Sequence, residues 1–226
     1  MKALILAAGR GERMLPLTAT TPKPLLMVGS RTLIEHRIAA LVAAGITEIV
    51  VNIAYLRDMI RQHLGDGKTL GANIIYSDEG DEPLETAGGI VQALPLLGTQ
   101  AFVVTNADIW CDYPLHQLAL AKNLLAQLVL VNNPSQHPQG DFGIEQNHAS
   151  LKATPKFTFS GIALYHPDLF KSLAPGKRTL KSVLDTGIAQ KIIGAEHYAG
   201  EWQDIGTIER LAKLNADLKK NLNTRL

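Results

Sequence analysis

Two glycines and two basic side chains near the start of the chain have a spacing that suits a polyphosphate ligand. Gly9 and Gly11 follow an apolar run at residues 3–6, and Arg13 and Lys23 come soon after them. Glycine lacks a Cβ, so its backbone N–H groups can approach a phosphate closely. Arg13 offers a planar fork of donors, and Lys23 offers a compact point charge. We therefore predict a phosphate-binding loop after the first strand, with Lys23 held on a stiff segment by the prolines on either side of it.

Two aspartates could hold a metal beside this loop. Asp108 follows an apolar run at residues 102–105, and Asp204 lies in a second polar segment, just before Gly206 and Thr207. Two such carboxylates would bind Mg²⁺, with substrate phosphates completing its oxygen shell. The ordinary alternatives, a helix cap for Asp204 and a turn for Asp108, stay open at this stage. None of the seven histidines has a metal-binding spacing.

Three commoner motifs do not fit. Met14 stands where a dinucleotide fingerprint needs its third glycine, so hydride transfer is disfavoured. Lys68 sits in a Gly-Lys-Thr triplet like the end of a P-loop, but Gln62 replaces the upstream glycine, and the stretch predicts a turn. Ser160 lacks the preceding glycine of a nucleophile elbow, which leaves acyl transfer unsupported.

Composition narrows the class of protein. The chain has 226 residues, of which 46% are hydrophobic, enough for the core of one α/β domain. Its net charge is only +1, and its basic residues are dispersed along the chain instead of being gathered into a stripe, so we expect no nucleic-acid partner. Cys111 is the only cysteine, which suits a reducing cytoplasm. We find no bilayer-length apolar run and no secretory signal, so we expect a cytoplasmic protein without a membrane partner.

The apolar periodicity predicts the elements that must position these residues. Strands are predicted at residues 3–6, 48–53, 73–76, 102–105 and 128–132, and helices at residues 33–44, 56–64, 87–94 and 115–125. This alternation predicts an α/β fold of three layers with a mostly parallel central sheet. Ligands bind at the carboxyl ends of such strands, which is where the Gly9 loop and Asp108 lie.

The pattern changes after residue 133. Prolines and a glycine interrupt the chain, and a β-rich run at residues 157–165 precedes helices at residues 179–190 and 207–222. We expect a single domain, with a nucleotide-binding part at residues 1–133 and a substrate-binding part with a C-terminal helix at residues 134–226. Leu211, Leu214, Leu218 and Leu222 follow helical spacing; we expect them to pack on the core, while a dimer face is the alternative, so the protein is a monomer or a homodimer.

Together these motifs resemble the sugar-1-phosphate nucleotidyltransferase family. Residues 6–14 and 22–25 resemble the family's signature, and Asp108 with the Trp202-x-Asp204-x-Gly206-Thr207 segment resembles its metal aspartates. The resemblance covers the whole chain. It implies a Rossmann-like, glycosyltransferase-A-like fold, a Mg²⁺ cofactor, and a nucleoside triphosphate and a sugar 1-phosphate as substrates.

Further segments narrow the resemblance to one branch of the family. Residues 82–89, 140–142 and 158–161 resemble the enzymes that transfer uridylyl from UTP to N-acetylmuramate 1-phosphate in cell-wall recycling. Other pairs remain as alternatives: mannose 1-phosphate with GTP, or glucose 1-phosphate with UTP or dTTP. A non-catalytic nucleotide-sugar sensor is a further alternative, but it would not need the full charged set of Arg13, Lys23, Asp108 and Asp204.

The resemblance also implies roles for individual residues. Arg13, Lys23 and Asp108 would be catalytic, and Asp108 and Asp204 would hold the metal. The nucleotide would contact Leu6, Ala7, Ala8, Gly9, Gly11, Glu12, Arg13, Lys23, Glu85, Thr86, Gly88 and Gly89. The sugar phosphate would contact Asn106, Asp141, Ser160 and Gly161.

This chain departs from the family pattern in two places. Ala107 stands before the metal aspartate, where many relatives have glycine. The segment from Asp78 to Glu85 has no glutamine of the kind that thymidylyl relatives use to read the base, which counts against thymidine. A lactyl carboxylate would need a cation, and Arg31, Lys156 and Arg178 are unranked candidates.

Overall fold

The computed structural model describes residues 1–223, with side chains as far as residue 220, and is built around a nine-stranded sheet. The strands, in chain order, are β1 (Lys2–Leu6), β2 (Met27–Val28), β3 (Arg31–Thr32), β4 (Glu48–Ile53), β5 (Asn73–Asp78), β6 (Phe102–Asn106), β7 (Ile109–Cys111), β8 (Ala126–Val131), β9 (Phe142–Glu145), β10 (His148–Ser150), β11 (Lys156–Tyr165), β12 (Ile193–Tyr198) and β13 (Trp202–Asp204). The large sheet has the order β5-β4-β1-β6-β11-β8-β12-β10-β9. Separate two-stranded sheets join β13 with β7 and β2 with β3.

Within residues 1–223, the large sheet is mixed: four of its strand pairings are parallel and five are antiparallel, and the predicted parallel arrangement is found in its β5-β4-β1-β6 half. β1 runs parallel to both β4 and β6, β4 runs parallel to β5, and β12 runs parallel to β8. β11 is inserted antiparallel between β6 and β8. The carboxyl ends of β1 and β6 therefore lie side by side, with Leu6 paired to Asn106. This register brings the loop after β1 next to the segment that carries Asp108.

Helices cover both faces of the sheet, so the three-layer arrangement is confirmed. They are α1 (Leu33–Ala43), α2 (Arg57–Leu64), α3 (Glu85–Leu97), α4 (Leu180–Ala189) and α5 (Ile208–Asn223). Successive residues of β1 alternate between the faces: Ile5 packs with α1 and α2 residues, and Leu4 packs with α3 and α4 residues. Because both faces are buried, β1 consists almost entirely of apolar residues.

The C-terminal helix packs on its own chain, which confirms the expectation of core packing. Leu214 of α5 is buried against Met14 and Leu26, and Leu211 and Leu218 flank it. The Leu222 side chain lies outside the described residues. This third cluster fixes α5 directly behind the segment of residues 11–26 that carries Arg13 and Lys23.

The predicted helix at residues 115–125 is wrong. The structure has one 3-10 turn at Leu115–Gln117, followed by irregular chain up to β8. Leu115 and Leu118 are both buried in the same core cluster without forming a helix, and Asn123 has φ of 71°, a left-handed conformation that does not occur within an α-helix. Tertiary burial has overridden local helical spacing here. Among the described residues, the helices are all too short or too polar to cross a membrane.

Candidate functional site

The loop after β1 folds back on itself through Gly11. Gly11 has φ of 66°, and a Cβ built there would lie 3.0 Å from Thr18 Cγ2 and 3.1 Å from Lys23 Cβ. The Thr18 hydroxyl donates to the Gly11 carbonyl at 2.9 Å. Gly9, in contrast, has open space where a Cβ would be. Gly11 is thus required by the loop's own packing, whereas Gly9 leaves its backbone open to a ligand.

Lys23 and Asp108 form an ion pair across the cleft. The Lys23 ammonium group donates to Asp108 Oδ2. The Lys23 side chain is only 10% exposed, whereas that of Asp108 is 33% exposed. Pro22 and Pro24 hold Lys23 in a short 3-10 turn, Lys23–Leu25. The structure thus brings two of the predicted site residues into direct contact, a pairing that the sequence analysis did not predict.

Asp204 lies on the strand next to Asp108. β13 pairs with β7 so that Asp204 is opposite Ile109, and the Ile205 N–H donates to the Asp108 carbonyl at 2.9 Å. Asp204 Oδ1 accepts from Gln136 Nε2 at 2.7 Å, and Oδ2 pairs with Arg210. The alternative of a helix cap does not hold for Asp204, because Thr207 accepts from the Arg210 N–H in the first turn of α5.

These groups lie in or beside a cleft of about 560 Å³. Its lining contains most of the predicted nucleotide residues: Leu6, Ala7, Gly9, Gly11, Glu12, Arg13, Lys23 and Thr86. It also contains the predicted sugar residue Asn106, the predicted metal ligand Asp108 and Gly206 of the Asp204 segment. Ala8 lines an adjoining cavity on the α2 side, next to Arg57 and Pro83. The cleft thus combines the open backbone of Gly9 with the cations Arg13 and Lys23 in one lining.

Two predicted nucleotide residues are packed inside α3 instead. A Cβ at Gly88 would lie 2.4 Å from the Gly176 carbonyl, and a Cβ at Gly89 would lie 2.3 Å from Glu79 Oε1. Neither glycine is among the residues that line the described cavities. Close packing against other segments of the same chain is enough to explain why both positions are glycine, and no ligand is needed for that explanation.

A hydrogen-bonded relay that the sequence analysis missed supports the loop from behind. The Ala7 N–H donates to Asn52 Oδ1 at 2.7 Å, and Asn52 Nδ2 donates to Glu79 Oε1 at 2.5 Å. The Leu84 N–H donates to Glu79 Oε2 at 3.0 Å. Burial raises the pKa of Glu79, and the neighbouring Asp78 adds to the rise. The sequence feature that could have revealed this relay is the polar Asn52 within the apolar run of β4.

A second, larger cavity of about 760 Å³ adjoins the cleft. Leu6, Thr86 and Asn106 line both, so ligands in the two cavities would be neighbours. Glu85, Asp141 and Gly161 line the second cavity alone. The predicted nucleotide residue Glu85 is therefore placed on the side of the predicted sugar residues.

The predicted sugar residues take different positions around this second cavity. A Cβ at Gly161, whose φ is 80°, would lie 2.5 Å from Asn106 Nδ2, so Gly161 allows β11 to pass close to Asn106. Asp141 accepts from the Phe159 N–H at 2.8 Å and contacts His137 at 3.1 Å. Ser160 is buried and does not line the cavity; its hydroxyl accepts from the Ile162 N–H.

Two lysines line the second cavity. Lys181 pairs with Asp185 at 2.6 Å, whereas Lys156 has no ion pair among residues 1–220. Of the other cations considered for a carboxylate, Arg31 is exposed on β3, and Arg178 lines a separate cavity beside α4. Lys156 is therefore the unpaired cation of this cavity.

The chain belongs to the nucleotidyl transferase family, because the family model matches residues 2–221. It is similar to an N-acetylmuramate α-1-phosphate uridylyltransferase of Neisseria meningitidis serogroup B, with 44% identity over 96% of this chain and 97% of the relative. A mannose-1-phosphate guanyltransferase of Schizosaccharomyces pombe is 32% identical over 91% of this chain and 61% of its own length.

A solved structure shares the fold. It is a putative glucose-1-phosphate thymidylyltransferase from Bacillus anthracis in complex with a sucrose, and it superimposes with a TM-score of 0.81. The comparison covers 96% of this chain and 94% of that one, at 24% sequence identity. The likeness confirms the predicted Rossmann-like nucleotidyltransferase fold.

Proposed function

We propose that this nucleotidyltransferase transfers a uridylyl group from UTP to N-acetylmuramate 1-phosphate, giving UDP-N-acetylmuramate and pyrophosphate. The observation that carries the proposal is the meeting of Lys23, Asp108 and the neighbouring Asp204 beside a cleft that shares residues with a second cavity. The choice of substrates is supported by the Neisseria relative, which matches this chain over nearly its whole length.

The donor set fits Mg²⁺. Asp108 and Asp204 lie on adjacent backbone segments, and each carboxylate is paired with a cation. No group of three or more His, Cys, Asp or Glu side chains suited to a metal occurs among the described residues. A magnesium ion commonly takes only one or two protein carboxylates and completes its shell with phosphates and water, which matches this pair. When bound, the ion would neutralise phosphate charge at the reacting centre.

The reaction needs no side-chain nucleophile. A sugar phosphate is already an anion, so one of its oxygens attacks the α-phosphorus of UTP while the bond to the β-phosphate oxygen breaks and pyrophosphate leaves. Lys23 and Arg13 would stabilise the negative charge that develops on the leaving pyrophosphate. The open backbone at Gly9 would position the nucleotide. Catalysis on this scheme consists of alignment and charge neutralisation.

The second cavity would hold the sugar. Asp141, Asn106 and Gly161 provide polar groups at its edge, while Val104, Tyr165 and Leu184 form an apolar part of its lining. N-acetylmuramate differs from N-acetylglucosamine by a lactyl ether that carries a carboxylate. We assign Lys156 to that carboxylate, because it is the unpaired cation of the lining.

Several finer points complete the proposal. Residues 1–133 would supply most contacts to the nucleotide, and residues 134–226 would supply most contacts to the sugar phosphate. The lack of a glutamine between Asp78 and Glu85 favours uracil over thymine. A role in cell-wall recycling, a cytoplasmic location and a monomeric or homodimeric state are parts of the proposal that follow from the resemblance and composition.

Pyrophosphate release by the purified protein with Mg²⁺ tests the proposal. UTP, GTP, CTP, ATP and dTTP should be paired with the 1-phosphates of N-acetylmuramate, N-acetylglucosamine, glucose and mannose. We expect the highest kcat/KM for UTP with N-acetylmuramate 1-phosphate. A preference for another pair would overturn the substrate assignment. Nucleotide binding without release from any pair would identify a sensor instead of an enzyme.

A further inference from the structure

Arg210 in the first turn of α5 pairs with a carboxylate assigned to the metal. Its guanidinium donates to Asp204 Oδ2, and the two side chains are 25% and 28% exposed. The pairing parallels that of Lys23 with Asp108. Each proposed metal ligand is therefore neutralised by a cation from another part of the chain.

Gly206 lies beside the Asp204–Arg210 pair and beside a second guanidinium group, that of Arg13. A Cβ at Gly206 would lie 2.9 Å from Asp204 Oδ2, 3.1 Å from Arg210 Nη1 and 3.3 Å from Arg13 Nη2. Arg13 and Gly206 both line the nucleotide cleft. Arg13 has no ion pair within residues 1–220. Gly206 thus lies close to both guanidinium groups, and only that of Arg210 is paired with Asp204.

We propose that Arg210 is a further phosphate-binding residue of this site, and that it occupies Asp204 until a divalent cation takes that carboxylate. The inference rests on the proposed function, because it supposes a nucleoside triphosphate in the cleft. With Asp108 and Asp204 engaged in holding a divalent ion, Lys23 and Arg210 would be free to bind the arriving phosphates. The freed guanidinium would then bind phosphate oxygens through its planar fork of donors.

The α5 helix does not need Arg210 to hold it in place. Leu214 is buried against Met14 and Leu26. Asn215 accepts from the Gly29 N–H at 2.8 Å and donates to the Met27 carbonyl at 3.1 Å. These contacts lie one turn or more beyond Arg210 and anchor the helix independently. A change at Arg210 should therefore leave the fold intact.

The test compares Arg210→Gln and Arg210→Lys with wild type and with Lys213→Gln, an exposed change on the same helix. Two affinities are measured: that of Mn²⁺ for the nucleotide-free protein, by electron paramagnetic resonance, and that of UTP in the presence of Mg²⁺, by calorimetry. We expect Arg210→Gln to bind Mn²⁺ up to about fivefold more tightly, because a competing ion pair is lost. We expect it to bind UTP about tenfold more weakly, because a charged hydrogen bond is lost.

The outcomes separate this inference from the proposed function. Arg210→Lys should recover part of the UTP affinity, and Lys213→Gln should match wild type in both measurements. If Arg210→Gln leaves either affinity at the wild-type value, the inference is overturned, whatever happens to thermal stability. If the wild-type protein itself binds no UTP or releases no pyrophosphate, the proposed function fails first, and the Mn²⁺ measurement still reports whether Arg210 competes for Asp204.

Discussion

The ion pair between Lys23 and Asp108 links a phosphate-binding cation to a metal-binding carboxylate. An ammonium group as buried as that of Lys23 requires a counter-charge. Asp108 provides it, so Lys23 is positioned before any substrate arrives. In the proposed reaction Asp108 would help to hold the metal ion, and Lys23 would then be free to bind the leaving pyrophosphate.

Replacing Asp108 should therefore impair turnover more than nucleotide binding. Asparagine has the same shape and keeps an oxygen for Lys23, but it removes the charge that the metal needs. We expect Asp108→Asn to lower kcat for pyrophosphate release by about 100-fold or more, while the Kd of UTP changes by less than about tenfold. Asp112→Asn, an exposed aspartate that bonds Tyr198, is the control. Near-wild-type turnover in Asp108→Asn would refute the metal assignment.

Lys156 should discriminate between sugars. Its proposed partner, the lactyl carboxylate, is present in N-acetylmuramate 1-phosphate and absent from N-acetylglucosamine 1-phosphate. We expect Lys156→Gln to lower kcat/KM for N-acetylmuramate 1-phosphate about tenfold, which is the loss expected when one charged hydrogen bond is removed. The kcat/KM for N-acetylglucosamine 1-phosphate should stay almost unchanged. Lys152→Gln, an exposed lysine outside the cavity lining, should affect neither sugar. Equal losses for both sugars would show that Lys156 does not read the lactyl group.

At the scale of elements, the relay through Asn52 and Glu79 ties three segments together. Asn52 on β4 accepts from the Ala7 N–H, and Glu79 receives hydrogen bonds from Asn52 and from the Leu84 N–H just before α3. The loop that follows β1 and the start of α3 are thereby held at a fixed separation. Ala7 and Thr86 both line the nucleotide cleft, so the relay connects two segments of its lining.

This relay should give the fold a pH dependence that a variant can expose. Burial raises the pKa of Glu79 in the folded protein above its ordinary value of 4.5. The stability that Glu79 contributes is therefore fully present below about pH 4.5 and is lost as the pH rises through the raised folded pKa. We expect the stability of wild type relative to Glu79→Gln to decrease between about pH 4 and pH 7. Urea unfolding across that range measures it, with the exposed Glu82→Gln as control. A pH-independent difference would contradict the burial argument.

Sequence reasoning predicted elements better than it predicted contacts. Hydrophobic periodicity located β4 and α1 within a residue, because both are decided by which faces are buried. It failed at residues 115–125, where Leu115 and Leu118 are buried in the core from a 3-10 turn and irregular chain instead of a helix. It could not reveal the bond between Asn52 and Glu79, which are 27 residues apart and meet only through the pairing of β4 with β5.

The candidate site, too, could be predicted only as far as it does not depend on tertiary contacts. Lys23 and Asp108 could be predicted because their residue types and neighbouring motifs carry the chemistry. The packing of Gly88 and Gly89 inside α3, and the pairing of Asp204 with Arg210, depend on tertiary approach. Residue type alone does not distinguish a glycine that faces a ligand from one that allows another segment of the same chain to pack closely against it.

At the scale of the whole molecule, the site is assembled from distant parts of one chain. The loop after β1, the end of β6, the β13 segment and the first turn of α5 all contribute charged or backbone groups around one cleft. Without ligands the opposite charges pair with one another, Lys23 with Asp108 and Arg210 with Asp204, so neither the cations nor the carboxylates are free. A metal ion and a nucleotide should therefore stabilise the folded protein together more than either does alone.

Thermal unfolding tests this coupling. A ligand that binds only the folded state at about 100 times its Kd stabilises it by about 2.7 kcal/mol, or roughly 5–10 °C in Tm for a chain of this size. We expect UTP with Mg²⁺ to approach that shift, and UTP alone or Mg²⁺ alone to fall well short, because Lys23 and Arg210 stay paired with Asp108 and Asp204 without the metal. The Asp108→Asn/Asp204→Asn double variant should lose most of the extra shift that Mg²⁺ adds to UTP. Equal shifts with and without Mg²⁺ in the wild-type protein would show that the two carboxylates do not couple metal to nucleotide.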